Sequence, residues 1–232
     1  MPRYTSSYSS FLSRLDEVNV LRRSAAKKER TNAIQQRAEI DALCRGAIVL
    51  LSSHVEAYIK ELGEIALQAF FDRAIQRNTL SLRTFYHISK DIIDEVKDTS
   101  DHGKIAEKMF RFIDSDAHYW SKSGPFQSPV PSARFNKGFS NPKFDKVSAY
   151  FNRFGYDKYR ADFYSALRSK AQPTQNMLDH LVDIRNSIAH GDPSATKTPG
   201  DLRDMVDTVS QFCRVTDQVF GSWCRRNFCA IR

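Results

Sequence analysis

The chain has 232 residues, enough for one large domain or two small ones, and 41% of them are hydrophobic against 27% charged, with a mean hydropathy of −0.50. That balance excludes a mainly disordered chain and an integral membrane protein, and no uninterrupted apolar run approaches the roughly 18 residues of a membrane span. Lys and Arg exceed Asp and Glu by 35 to 27, giving +8, while four cysteines without a CxxC pair and an N-terminus without the apolar stretch of a secretory signal lead us to expect a reduced, cytoplasmic protein.

Proline sets the architecture. After Pro2 there is none until Pro125, and residues 10–120 read almost throughout as helix. Leu12, Leu15, Val18 and Leu21 or Arg22 fit a first amphipathic segment, followed by a charged run over 22–30. Thr31 or Asn32 suits the cap of a second helix over about 33–74, with Leu43, Ala47, Leu50, Leu51, Val55, Tyr58, Leu62 and Ile65 as its core stripe. Gly46 and Gly63 inside it mark kinks or close-packing points. Shorter helices are predicted over about 82–97 and 103–121, the second capped by Asp101. Residues 122–142 hold four of the eight prolines and no helical period, yet Phe126, Phe135 and Phe139 need burial, so this stretch reads as an ordered insertion. Further helices are predicted over 143–153, ended by a left-handed cap at Gly155, and over 159–170, 176–189 and 198–228. The last is announced by Thr198-Pro199-Gly200-Asp201, a cap, a first-turn proline and an acid three residues on. With no βαβ series and no repeat, the fold class is all-α: an antiparallel helical bundle over 41–232 with an N-terminal helical extension over 1–40.

Charge is unevenly spread. Residues 122–170 hold ten basic and three acidic side chains, a surplus of +7, which leaves +1 for the rest of the chain. Positions 110–164 carry 15 of the 27 aromatic residues. Interleaved basic and aromatic side chains can hold phosphates and stack bases; equally, the aromatics can be core and the charges their solvated flank.

The segment that carries chemistry is 177–193. Met177, Leu181, Ile184 and Ile188 form its expected buried stripe, which Arg185 and Asn186 leave by about 100° and 200°. His190 falls where Gly191 and Pro193 should end the helix. Residues five apart on a regular helix differ by about 140° and 7.5 Å, so Arg185 and His190 converge only if the helix end loosens or a second copy brings its own pair alongside. An arginine near a helix end can also simply neutralise carbonyls, and a histidine beside glycine is a common helix stop.

Arg185-Asn186-Ser187-Ile188-Ala189-His190 resembles the R-N-x-x-x-H form of the Arg-x4–6-His motif of HEPN (higher eukaryote and prokaryote nucleotide-binding) domains. Residues 50–62 resemble the first core helix of one bacterial HEPN subfamily, and 135–156 its insertion before the motif helix. The resemblance covers roughly 40–228. It implies a small helical bundle that dimerises, with two motifs facing each other across a cleft as a metal-independent endoribonuclease site of the toxin or antiphage-defence type, often held by a partner antitoxin. Where some HEPN toxins carry a Tyr that an antitoxin adenylylates, two residues after the His, this chain has Asp192.

On that reading Arg185 binds phosphate, His190 is the acid or base, and Asn186 orients His190 or a phosphate oxygen. Glu56 and His54, beside the apolar stripe of the long helix, either support His190 or are structural. Lys137, Lys143, Lys146 and Arg153 are candidate RNA contacts. Asp183 suits pairing with a neighbouring base. His87, His102, His118 and His180 show no metal-ligand spacing and no phosphate-binding glycine loop is present, so no metal, no cofactor and no membrane partner are expected. Two other functions fit: a catalytically silent HEPN module that binds RNA or a nucleotide, and a helical adaptor whose basic surface meets an acidic protein.

Overall fold

A computed structural model describes residues 4–121 and 123–231; residues 1–3, Lys122 and Arg232, which the expected extension, insertion and domain boundaries include, lie outside the described residues. The described chain is all-α: α1 (Ser6–Asn32), α2 (Arg37–Asp72), α3 (Leu82–Ile88), α4 (Lys90–Lys97), α5 (His102–Ser115), α6 (Ser132–Asn136), α7 (Phe144–Asn152), α8 (Tyr159–Leu167), α9 (Ala171–Ala189) and α10 (Pro199–Asn227).

The expected amphipathic segment and charged run form one helix, α1. Thr5 caps it by accepting from the Tyr8 N–H, and its own N–H and hydroxyl donate to the buried Asp217 carboxylate of α10. Residues 1–40 were expected as an extension; α1 lies along α2 and buries Tyr8, Phe11, Leu15, Val18 and Ala25 in the common core. The turn between them uses Asn32, whose side chain accepts from the Gln35 N–H. α2 has no side-chain cap, so its 36 residues depend on packing; 14 are buried against α1, α9 and α10. By length and composition α2 is apolar enough to cross a membrane, but half of its most apolar window is inside the bundle. Gly63 is a close-packing point: a Cβ there would stand 2.0 Å from the Tyr150 hydroxyl.

The helix predicted over 82–97 is two, because Ser89 is buried and its hydroxyl accepts from the Trp120 indole at 3.0 Å, which holds its backbone off helical geometry. α5 starts at Asp101 as expected, its side chain accepting from the Lys104 N–H. α9 begins at Ala171, earlier than predicted, with Pro173 in the first turn, where a missing N–H breaks no helical bond. Its buried stripe is also rotated from the expected one: Leu178, Leu181, Val182 and Ile184 are buried, while Met177 and Ile188 are only partly so. α10 carries the full capping box between Thr198 and Asp201.

The insertion packs as predicted, burying Phe126, Phe135 and Phe139, and adds the short α6. Of the fifteen aromatics over 110–164, eleven are buried. Phe151 lies 4.5 Å from Phe220 and Phe135 4.6 Å from Phe154, centroid to centroid. This decides the question the sequence left open: these rings are core, not a stacking platform for bases.

Two stability effects should arise from this packing. Gly63→Ala should cost about 1–3 kcal/mol in urea denaturation, less in a Tyr150→Phe background, because the hydroxyl is the nearest atom. His87, half-buried with its ring 6.0 Å from that of Phe135, has its pKa lowered to about 4 by burial, with Arg153 and Lys90 adding to it. The unfolded chain takes up that proton near pH 6.5 and the folded one only near 4. Stability should therefore fall as pH drops from about 6.5 to 4, and His87→Gln should flatten that fall in thermal melts across the range.

Candidate active site

α9 stays regular to its last residue. The His190 N–H bonds the Asn186 carbonyl at 2.9 Å, the Gly191 N–H bonds Ile188, and the Asp192 N–H bonds Ser187 at 3.0 Å. This is a Schellman end, with Gly191 at φ +83 supplying the left-handed residue. The helix therefore does not loosen, and Arg185 and His190 keep their helical separation of about 140° and 7.5 Å. His190 is exposed at the tip; Arg185 and Asn186 are half-buried.

Arg185 is held without being neutralised. Its Nη1 donates to Oδ1 of Asn141 at 3.2 Å and of Asn186 at 3.1 Å, and it has no carboxylate partner among the described residues. Asn141, which the sequence reading missed, sits in the left-handed region at φ +52, where asparagine is among the few residues tolerated. Its backbone N–H donates to Glu56 Oε2 at 3.2 Å, and the other Glu56 oxygen accepts from Lys60 at 2.7 Å. Glu56 thus reaches Arg185 through the Asn141 backbone. The signal in the sequence was Asn141-Pro142, a turn-forming pair, but its partners lie 44 and 85 residues away.

Two acids of α9 fix the neighbouring chain. Asp179 caps α7 by accepting from the Phe144 N–H at 2.8 Å, and Asp183 pairs with Lys143 at 2.5 Å, the basic partner expected for it. His54 lies elsewhere: it faces Glu17 of α1 at 3.5 Å, with its side chain 12% exposed, and burial pushes its pKa below the ordinary histidine value.

The candidate RNA contacts have differing surroundings. Lys137 pairs with Asp91 at 2.9 Å. Arg153 turns inward, donating to the carbonyls of Phe135 and Lys137 over the Tyr150 ring, and burial lowers its pKa. Lys146 is exposed. Among the described residues no three His, Cys, Asp or Glu side chains are grouped so as to hold a metal ion.

Gly191→Ala places a Cβ in the left-handed region and should cost about 1–2 kcal/mol in denaturation, whereas Gly191→Asn should cost less.

The model of the RiboL-PSP-HEPN family matches residues 9–222, from the first turn of α1 into the last turns of α10. No curated protein and no solved structure matches the chain. The matched span takes in the helical bundle, the insertion and the Arg185–His190 segment together: the chain belongs to the RiboL-PSP-HEPN family, and so to the HEPN superfamily.

Proposed function

We propose that the protein is a metal-independent endoribonuclease of toxin or antiphage-defence type, acting in the cytoplasm as a homodimer. Family membership supports a nuclease or RNA-related role. The observation that carries the sharper reading is Arg185, a guanidinium oriented by two neutral amide oxygens with its charge uncancelled, on the same helix end as an exposed His190. The unbroken end of α9 supports pairing of two copies, because one copy keeps the two groups on different faces.

In this mechanism the RNA supplies its own nucleophile. The 2′-oxygen attacks the adjacent phosphorus as its proton leaves, the bond to the 5′-oxygen breaks, and that oxygen takes up a proton; the products are a 2′,3′-cyclic phosphate and a 5′-hydroxyl. His190 serves one of the two proton transfers, and its copy in the other subunit of the proposed dimer serves the second. Arg185 binds the phosphate and its developing charge through the Nη2 and Nε donors that the two asparagines leave free. Asn186 orients the guanidinium, and Glu56 acts one step back through Asn141. A partner antitoxin would restrain the enzyme by covering this helix end; Asp192 offers no phenolic hydroxyl for modification.

Purified protein incubated with total RNA or tRNA in EDTA should cut it and leave 2′,3′-cyclic phosphate ends. His190→Ala should lower the rate about 10²–10⁴-fold and Arg185→Ala about 10²–10³-fold. Full activity in His190→Ala, or strict dependence on added metal, overturns the mechanism; salt-sensitive RNA retention without cleavage would mark a silent binding module.

A further inference from the structure

Several cations in the basic middle of the chain are already engaged. Lys137 and Lys143 pair with carboxylates, Arg134 pairs with Asp116 and Arg160 with Asp145. The second half of α1 is different. Arg22, Arg23, Lys27 and Arg30 have no carboxylate within 4.0 Å among the described residues. Arg22 rests its Nε on the Asn19 side chain at 3.2 Å; Arg23 and Arg30 rest theirs on carbonyls of α1 itself, at 3.2 and 3.3 Å. These hydrogen bonds orient the guanidinium groups and leave their outer nitrogens free. Together with Arg203 and Gly200 of α10 the four cations line an open groove of about 540 Å3, in which Glu29 is the acidic lining residue.

The groove and the motif share one end of the bundle. The segment between His190 and α10 is tied to the start of α2 by the Thr196 hydroxyl on Asp41 at 3.3 Å, and α2 starts one short turn after α1 ends. At 1.5 Å per residue, Arg23, Lys27 and Arg30 are spread over roughly 10 Å of helix, a ladder of positive charge rather than a single point. Oriented guanidinium groups of α1 without internal counter-ions, in an open trough that Arg203, paired with Asp204 at 3.4 Å, closes on the α10 side, fit a polyanionic strand.

We infer that this groove is a second RNA-binding surface, gripping the sugar–phosphate backbone of the strand whose scissile bond lies at Arg185 and His190; the inference rests on the nuclease reading for its substrate class. Every interaction is charge to phosphate, so it lends affinity and register without base preference. It also gives long RNA an advantage over short fragments that reach only the motif.

The test separates binding from cleavage. Binding of a labelled 20-nucleotide single-stranded RNA is followed by fluorescence anisotropy from 50 to 300 mM KCl in EDTA, using full-length His190→Ala protein. Adding Arg23→Ala, Lys27→Ala and Arg30→Ala should weaken binding at least tenfold and make the slope of log K against log salt shallower by about 2, since each phosphate left unneutralised removes about 0.7. A control triple, Lys104→Ala, Lys158→Ala and Lys170→Ala, changes net charge equally and should shift affinity less than threefold. In the active protein, the α1 triple should raise KM for the 20-nucleotide RNA and leave cleavage of a tetranucleotide unchanged. Parental affinity and slope in the α1 triple, or an equal loss in the control, overturns the groove even if cleavage stands. Groove-dependent binding by a wild type that cuts nothing removes the nuclease reading and leaves the groove in place.

Discussion

Two amide oxygens on one guanidinium nitrogen decide what the end of α9 can offer a ligand. Several other arginines are held by carboxylates instead. At Arg134, burial pushes the pKa of Asp116 up, but hydrogen bonds from Arg134, Ser89 and Ser115 outweigh it and hold the carboxyl below its ordinary value, so the two charges cancel inside the fold. At Arg185 the partners are Asn141 and Asn186, which fix direction and leave the charge whole. The carboxylate of the network, Glu56, is one step removed: it grips the backbone of Asn141 and shares its charge with Lys60. A carboxylate moved into the place of Asn141 would keep the geometry and remove the attraction for phosphate.

That arrangement needs a rigid backing, which the aromatic insertion supplies. α9 holds the segment 141–144 at three places along its length, through Asp179, Asp183 and Arg185. Behind that segment Phe144, Tyr150, Phe151 and Phe154 are sealed into the core with Phe212 and Phe220 of α10. Part of the basic surplus of 122–170 is used in the same construction, on Asp91, Asp116, Asp183 and backbone carbonyls, while Lys146, Lys158, Arg168 and Lys170 have no carboxylate within 4.0 Å among the described residues. A window of sequence counts charges by position along the chain, whereas a ligand meets only those the fold leaves uncompensated. The +4 surplus of residues 22–30 is smaller than that of 122–170, but its unpaired cations are gathered along one stretch of helix and line one groove.

What could be read from sequence was what local chemistry determines. Thr198, Pro199 and Asp201 define the start of α10 within one turn; Asp101 does the same for α5, and Gly191 for the end of α9. Long-range packing escaped. Ser89 breaks a helix because Trp120, 31 residues on, takes its hydroxyl. Tyr150 demands glycine at position 63, and the stripe of α9 turns by one residue because Leu178 and Val182, not Met177 and Ile188, face the bundle. The candidate site divides the same way. Arg185, Asn186 and His190 stand out through their spacing, while Asn141 has no local mark beyond a turn-prone dipeptide. His54 and Glu56 are two residues apart on one helix, about 200° around it, and therefore belong to different seams.

The regularity of α9 also limits how the site can be controlled. Because the helix is hydrogen-bonded through His190 and closed by Gly191, the backbone positions that carry the guanidinium and the imidazole within one copy are fixed. A frayed end would let a single copy bring the two groups together by local rearrangement, and activity would then follow helix stability. In the proposed two-copy site the free variable is how the two helix ends approach each other, which surfaces outside the motif would set. Substitutions that shift the approach by an ångström should matter as much as loss of a motif side chain, since reacting groups must be held to within a fraction of that distance. In the proposed two-copy site each half is completed only by its partner, so whatever occupied the face beside α9 would govern the chemistry without touching the motif side chains.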